Sequence, residues 1–194
     1  MLITHHGLFW DFHHRALTEA MAARLRIVLG SGLSVAGYHL PLDAHPEIGN
    51  NALITRQLGF ETVPGEIGEA KGRSIGQIGR RTEPIPAGEF FALVAEEMNR
   101  EPLVFADGPE MISTIGVVTG AGASDIHRAI ELGLDAYLTG EPSEHVMADA
   151  REGGIHFIAA GHYATEICGI KALGELVAGR FGVEHEFLDL PNPI

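Results

Sequence analysis

Cysteine is almost absent from this chain, because Cys168 is the only one among 194 residues. A single cysteine excludes a disulfide within the chain and a zinc site built from several cysteines. Long apolar runs are missing too, and none reaches the roughly 20 residues that a membrane-spanning helix needs. The first residues, Met1–His6, lack the basic start and apolar centre of a signal peptide. We therefore expect a cytoplasmic protein without a membrane segment.

Basic residues are also scarce, since 13 Lys and Arg face 26 Asp and Glu and the net charge is −13. Such a surface repels nucleic-acid backbones and anionic membranes unless its cations cluster. The densest group is only Lys71, Arg73, Arg80 and Arg81. Nucleic acid is therefore a disfavoured partner. Histidine, by contrast, occurs 11 times, which is a compositional indication of metal binding.

The second half of the chain alternates short apolar segments with helical ones. This alternation predicts an α/β fold in which a mostly parallel or mixed sheet is flanked by helices. The predicted strands cover 115–118, 135–138, 155–160 and 183–188, and the predicted helices cover 124–132, 142–151 and 165–180.

The first half is less regular. Its predicted strands cover 2–4, 33–40, 77–81 and 103–106, and its predicted helices cover 11–29, 46–58 and 86–99. Glycine is frequent in 61–86, where we expect loops and short strands and assign no function. We predict a core made of 1–59 and 110–194, with 60–109 as a short inserted or connecting subdomain.

Side chains that bind metals follow three of the predicted strands. His5 and His6 end the first strand, Asp43 follows the second, and His162 follows strand 155–160 with Glu166 four residues later. Four residues make about one helical turn, so His162 and Glu166 lie on one face. Ligands of open α/β sheets bind beyond the carboxyl ends of strands. These five side chains would suit a pair of divalent ions, although a packing or surface role explains each one alone equally well.

Other polar residues are candidates for supporting roles. Glu141 ends a strand and is either a general base near the metals or a carboxylate that stabilises a helix start. His39 and His45 flank Asp43 and are candidates for contacts with a ligand carboxylate or with bound water. Cys168 lies off the face of Glu166, and we interpret it as a buried structural thiol. The glycines around Gly120 predict a tight turn rather than a dinucleotide site, because a third glycine is missing.

Three segments carry a family resemblance: His5–Trp10, His39–Pro46 with Gly49–Asn51, and Gly161–Glu166. They resemble the signature segments of the NIF-three-like family, also called GTP cyclohydrolase I type-two homologues or dinuclear metal centre hexameric proteins. The resemblance implies an α/β fold of two related lobes and a toroidal homohexamer, a trimer of dimers, with di-metal sites facing the inner cavity. Family members normally have a strand and a helix before the His-His motif, so the first lobe is expected to be shortened at its N-terminus, unless Met1 is not the true start.

The resemblance also implies a ligand set and a function. The implied ligands are His5, His6, Asp43, His162 and Glu166, with Glu166 bridging two ions. Iron, zinc, manganese, cobalt and nickel all suit mixed His and carboxylate ligands. The expected function is that of a metal-dependent hydrolase acting on a small molecule or nucleotide, with GTP suggested by the family name. The alternative is a non-catalytic ring that handles metal or binds a partner.

Overall fold

The computed structural model describes residues 1–10, 12 and 16–194, which form two compact units, 1–39 and 40–194. The start of the helix predicted over 11–29 lies partly outside the described residues. No helix within those described ranges is both long enough and apolar enough to cross a membrane.

The first unit contains two short parallel strands joined by a helix. Its elements are β1 (Leu2–Thr4), α1 (Glu19–Ser31) and β2 (Val35–Gly37). Parallel strands need a long crossover, which α1 supplies. The helix begins after Thr18, whose side chain accepts a hydrogen bond from the backbone N–H of Met21 at 3.2 Å. The prediction of a strand, a helix and a second strand is confirmed; β1 has its predicted bounds, whereas α1 and β2 are shorter than predicted.

The second unit contains a six-stranded sheet with the strand order β3-β6-β8-β9-β10-β7. Strands β8, β9 and β10 run parallel to one another. The pairs β3–β6, β6–β8 and β7–β10 are antiparallel. The fold class is therefore mixed α/β, as predicted. The strands are β3 (Glu61–Val63), β4 (Glu69–Ala70), β5 (Arg73–Ser74), β6 (Gln77–Pro86), β7 (Leu103–Ala106), β8 (Met111–Val118), β9 (Ala136–Thr139) and β10 (His156–Ala159). The helices are α2 (Leu40–Asp43), α3 (Asn50–Gln57), α4 (Ala87–Glu97), α5 (Ile126–Glu131), α6 (Val146–Gly153) and α7 (His162–Phe181).

Both faces of this sheet are buried by helices. Leu138 on β9 packs on one face with Phe90 of α4, whereas its neighbour Tyr137 packs on the opposite face with Val146 of α6. This is the expected alternation of side chains along a strand. Each such fully buried side chain contributes about 1.5–3 kcal/mol of hydrophobic stabilisation. The apolar runs of the second half are therefore continuous because both of their faces are covered.

The glycine-rich segment forms part of this unit. Strands β4 and β5 are joined at Lys71 and Gly72, which have φ values of 52° and 75°. Two successive positive φ values are typical of the type I′ turns of tight hairpins. Strands β3, β6 and β7 of the segment 60–109 belong to the same sheet as β8–β10, and the structure divides its compact units after residue 39.

The strand predicted over 183–188 is wrong. Residues 183–194 contain no helix or strand, and Val183 and Leu188 are exposed. Their alternating apolar pattern is locally compatible with a strand. However, β10 already pairs with β9 and β7, so neither of its edges is open to another strand. The segment also pairs with neither β3 nor β7, the two strands at the edges of the sheet, so its pattern forms no ladder.

Candidate metal centre

Helix α7 carries a His–Glu pair at its first turn. The helix begins at His162 after Gly161, whose φ of 98° is left-handed and suits glycine. The Nε2 atom of His162 lies 3.0 Å from Oε2 of Glu166, and Glu166 is only 8% exposed. The predicted juxtaposition of these two side chains on one helix face is therefore present.

A second carboxylate holds the other ring nitrogen of His162. Nδ1 of His162 donates a short hydrogen bond to Oε1 of Glu141. Together with the hydrogen bond to Glu166, the stronger influence, this contact raises the pKa of His162 to about 9, although burial opposes the rise. In the absence of a bound metal ion, the His162 ring is therefore protonated at neutral pH. A carboxylate on the distal nitrogen is the arrangement that orients histidine ligands in metal sites.

The turn after β8 packs directly against this pair. Gly120 has a φ of 69°, and a Cβ atom there would press on the Glu166 carboxylate and lie 3.3 Å from Nε2 of His162. Its carbonyl accepts hydrogen bonds from the backbone N–H groups of Gly140 and Glu141 at 2.9 and 3.0 Å. Three strand ends therefore converge at the His–Glu pair, and glycine leaves space beside it. The tight-turn interpretation of Gly120 is confirmed.

Asp43 is attached to α7 through an asparagine that the sequence reasoning missed. Asn50 is fully buried, and its Nδ2 donates to Oδ1 of Asp43 at 2.8 Å. Its Oδ1 accepts a hydrogen bond from the backbone N–H of Gly169 at 2.7 Å. One side chain thus connects the Asp43 carboxylate to the helix that carries His162. The Gly49–Asn51 segment was part of the family resemblance, but no local pattern predicts this long-range bridge.

Asn51 makes a second bridge beside the first. Its Nδ2 donates to the carbonyl oxygens of Asp43 at 3.2 Å and of Ile75 at 2.7 Å, and its Oδ1 accepts from the backbone N–H of Thr119 at 2.8 Å. Asn51 is 1% exposed, so this amide stabilises the backbone around Asp43 with nearly all its hydrogen-bonding capacity.

The first unit places three predicted histidines together. The ring centroid of His39 lies 5.0 Å from that of His5 and 5.1 Å from that of His6. Nδ1 of His5 donates to the carbonyl of Tyr38 at 2.9 Å. This bond assigns the proton of a neutral ring to Nδ1 and leaves Nε2 as the nitrogen with a lone pair for a metal.

The remaining candidates are His45 and Cys168. Nδ1 of His45 accepts backbone N–H groups of Glu47 and Ile48 at 3.2 and 3.3 Å, which caps its own turn. Its predicted place near a ligand stays a prediction. Burial raises the pKa of the Cys168 thiol to about 12, which fits the interpretation of an inert structural cysteine.

A cavity of 380 Å³ opens beside Glu141 in the second unit. Its walls include Arg100, Leu103, Ala159, Gly161 and Ile194. This volume is within the range of about 300–1,000 Å³ that is typical of small-molecule pockets. The cavity therefore offers a space for a small ligand on the side of the carboxylate that holds His162.

The donor set fits a divalent transition metal. The 3.0 Å between Nε2 of His162 and Oε2 of Glu166 matches the roughly 3.0–3.4 Å that separates two ligands of one ion at 2.0–2.2 Å. The second unit also holds the buried carboxylate of Asp43, a hard oxygen donor, and the first unit holds the clustered imidazole nitrogens of His5, His6 and His39. Asp43, His162 and Glu166 belong to the second unit, and the three clustered histidines belong to the first.

These features define an α/β protein with groups of side chains that could hold a metal ion. The chain belongs to the family described as Duf34/NIF3 (NGG1p interacting factor 3), whose model matches residues 1–193. It is 45% identical over 193 residues to a GTP cyclohydrolase 1 type 2 homolog of Pseudomonas aeruginosa, covering 100% of this chain and 76% of the relative. It is 41% identical to the homolog of the same name from Escherichia coli K12, covering 99% and 76%.

Solved structures agree with this assignment. A structural-genomics protein called ybgI, described as of unknown function, has a TM-score of 0.91 at 39% identity, covering 99% of this chain and 76% of its own. The protein TTHA1606 from Thermus thermophilus has a TM-score of 0.81 at 31% identity, covering 100% and 75%. The prediction of a NIF-three-like α/β fold is confirmed.

Proposed function

We propose that this chain binds two divalent metal ions and acts as a metal-dependent hydrolase. The side chains that would hold the ions are His5, His6, Asp43, His162 and Glu166. The observation that carries the proposal is the His162–Glu166 pair, 3.0 Å apart and held from behind by Glu141. A carboxylate on the second ring nitrogen is the arrangement found behind histidine ligands in metal sites.

The proposal joins side chains from both compact units. Asp43, His162 and Glu166 belong to the second unit, and His5 and His6 belong to the first. Support for this ligand set comes from the resemblance of the signature segments to those of the family and from donor types that suit divalent ions. We propose further that the chain assembles into a homohexameric ring, which size-exclusion chromatography with light scattering tests directly.

The residues have separate tasks in this proposal. Bound divalent ions would supply Lewis acidity and would lower the pKa of a water molecule to about 7. Glu141 keeps the His162 ring in one orientation through Nδ1, so that Nε2 faces Glu166. Asn50 holds the Asp43 carboxylate through its Nδ2. Glu141 also borders the 380 Å³ cavity, where its carboxylate could accept a proton from a bound substrate.

We propose a nucleotide as the substrate, with GTP as the first compound to test. The support is the name that the relatives from P. aeruginosa and E. coli carry, GTP cyclohydrolase 1 type 2 homolog. The cavity beside Glu141 adds space for such a ligand.

The test is a turnover assay on purified protein whose metal content has been measured by elemental analysis. GTP is incubated with the metal-loaded protein, and ring-opened or formylated products are sought by mass spectrometry. The expected result is product formation by the unmodified chain and none by His162→Ala. Equal product from both proteins, or none from either, would refute the hydrolase proposal. Retained metal without turnover of any nucleotide would favour the metal-handling ring instead.

Two substitutions at Glu141 separate its two candidate tasks. Glu141→Gln keeps an oxygen that accepts from His162 but removes the basic carboxylate, whereas Glu141→Ala removes both. If Glu141 is a base, Glu141→Gln loses turnover and keeps its metals. If it only orients His162, Glu141→Gln keeps turnover and metals, whereas Glu141→Ala loses metal affinity by about 10–100-fold.

A further inference from the structure

A second group of metal-binding side chains lies on the surface of the second unit. His127, His145 and Asp149 each offer one ligand atom, and these atoms all lie within 4.8 Å of one another. Nδ1 of His145 lies 2.6 Å from Oδ2 of Asp149, and Nε2 of His127 lies 3.5 Å from the same oxygen. None of the three belongs to the proposed di-metal centre.

Two helices hold the group in place. His127 is on α5, His145 caps the start of α6, and Asp149 follows one turn later on α6. The neighbours of the two histidines, Ile126 and Val146, are fully buried and pack in the same apolar cluster. The ligand side chains therefore start from backbone positions that the core fixes, which lowers the cost of bringing them together.

The two imidazole rings share an orientation that directs one nitrogen of each towards Asp149. The imidazoles of His127 and His145 are nearly parallel, with 9° between their planes and 5.9 Å between their centroids. That separation is within the roughly 4.5–7 Å of aromatic pairs, so the two rings are in stacking contact. Both rings also direct a nitrogen towards Oδ2 of Asp149.

Nearby cations are paired with other acids. Arg128 binds Glu131 at 2.9 Å, and Arg151 lies 3.5 Å from Asp107. The side chains of His127 and His145 are 59% and 43% exposed, so a hydrated ion can reach them. The 3.5 Å separation is close to, and the 2.6 Å separation shorter than, the roughly 3.3 Å expected between ligands of a tetrahedral zinc ion. A small opening of the His145–Asp149 pair would complete the geometry.

We propose that His127, His145 and Asp149 form a mononuclear surface site for a divalent transition metal such as zinc, nickel or copper. Two imidazoles and one carboxylate are ligands that these ions accept. Three protein ligands leave a fourth position for water or another small ligand. By connecting α5 to α6, the bound ion stabilises the folded chain.

The test uses the full chain, stripped of metal, crystallised and soaked in millimolar zinc chloride. Anomalous diffraction at the zinc edge should show a peak between the three side chains. That peak should persist in His162→Ala, which perturbs the proposed di-metal centre, and should vanish in His145→Ala. The surface site is therefore tested independently of the proposed function. A zinc-soaked crystal without a peak at this position, or with a peak that survives His145→Ala, would overturn the proposal.

Calorimetric titration with zinc gives the matching result in solution. The weakest zinc-binding event should lose more than about tenfold in affinity in both His127→Ala and His145→Ala, since removing a ligand costs at least as much as removing its outer partner. His185→Ala, which removes an exposed histidine outside the group, is the matched control and should leave the titration unchanged. An unchanged titration in all three variants would contradict the proposed site.

Discussion

Asn50 offers the sharpest test of how the Asp43 region is held. In Asn50→Ala, Asp43 loses the donor that lies 2.8 Å away, and Gly169 loses the acceptor that lies 2.7 Å from its N–H. Because Asn50 is fully buried, water cannot replace these partners without opening the structure. An unsatisfied buried polar group costs about 1–3 kcal/mol, and more when it is charged, so we expect the free energy of unfolding to fall by about 2–4 kcal/mol.

Urea unfolding followed by circular dichroism measures this change, and the melting temperature should fall by roughly 5–15 °C. Asn50→Asp is the matched comparison, because it keeps an acceptor for Gly169 but replaces the donor to Asp43 with a repelling carboxylate. Asn192→Ala, at an exposed amide, should stay within about 0.5 kcal/mol of the unmodified chain. An equally small effect of Asn50→Ala would refute the bridge as a stabilising interaction.

Three further predictions concern titration. Because the pKa of His162 is raised to about 9, metal binding near pH 7.5 should release a proton, and metal affinity should rise up to about tenfold per pH unit until pH 9. Calorimetry in buffers of different ionisation enthalpy measures this proton release, and identical apparent enthalpies in all buffers would contradict it. Although burial raises the pKa of Asp135, hydrogen bonds from Ser113 and Thr114 hold it below its ordinary value, so its stabilisation is present above about pH 4 and is lost as the pH falls through the lowered pKa. Asp135→Ala should therefore cost about 1–3 kcal/mol at pH 7 in urea unfolding, and the cost should shrink as the pH falls below about 4. Burial raises the pKa of Cys168 to about 12, so a thiol reagent at pH 8 should label the folded chain far more slowly than the urea-unfolded chain, and equal rates would show that the thiol is exposed.

Local patterns predicted the parallel part of the sheet well. Strands β8, β9 and β10 and helices α5, α6 and α7 all occur where alternating apolar and helical segments indicate them, with ends that shift by a few residues. Their covered faces make the strands uniformly apolar, and this signal is strong in a short window. The prediction of a strand over 183–188 was wrong because a strand also needs a partner strand to pair with, and a local pattern does not contain that information.

The site was predicted less completely than the fold. The spacing of His162 and Glu166 follows from helical geometry and needed no tertiary information. The role of Asn50 could not be inferred in this way, because its partners Asp43 and Gly169 are 7 and 119 residues away. Glu141 was recognised as a strand-end carboxylate, yet its contact with Nδ1 of His162 depends on two loops meeting beside Gly120.

The sequence alone determined the kinds of elements, the scarcity of cations and the donor residues at strand ends, because each follows from composition or from periods of two and 3.6 residues. The tertiary structure decided the strand order, the antiparallel edges and the amide bridges of Asn50 and Asn51. It also brought His127 beside His145 and Asp149, three residues without any shared sequence motif. Contacts of this kind depend on loop closure and on the packing of whole elements, and neither is encoded in the spacing of neighbouring residues.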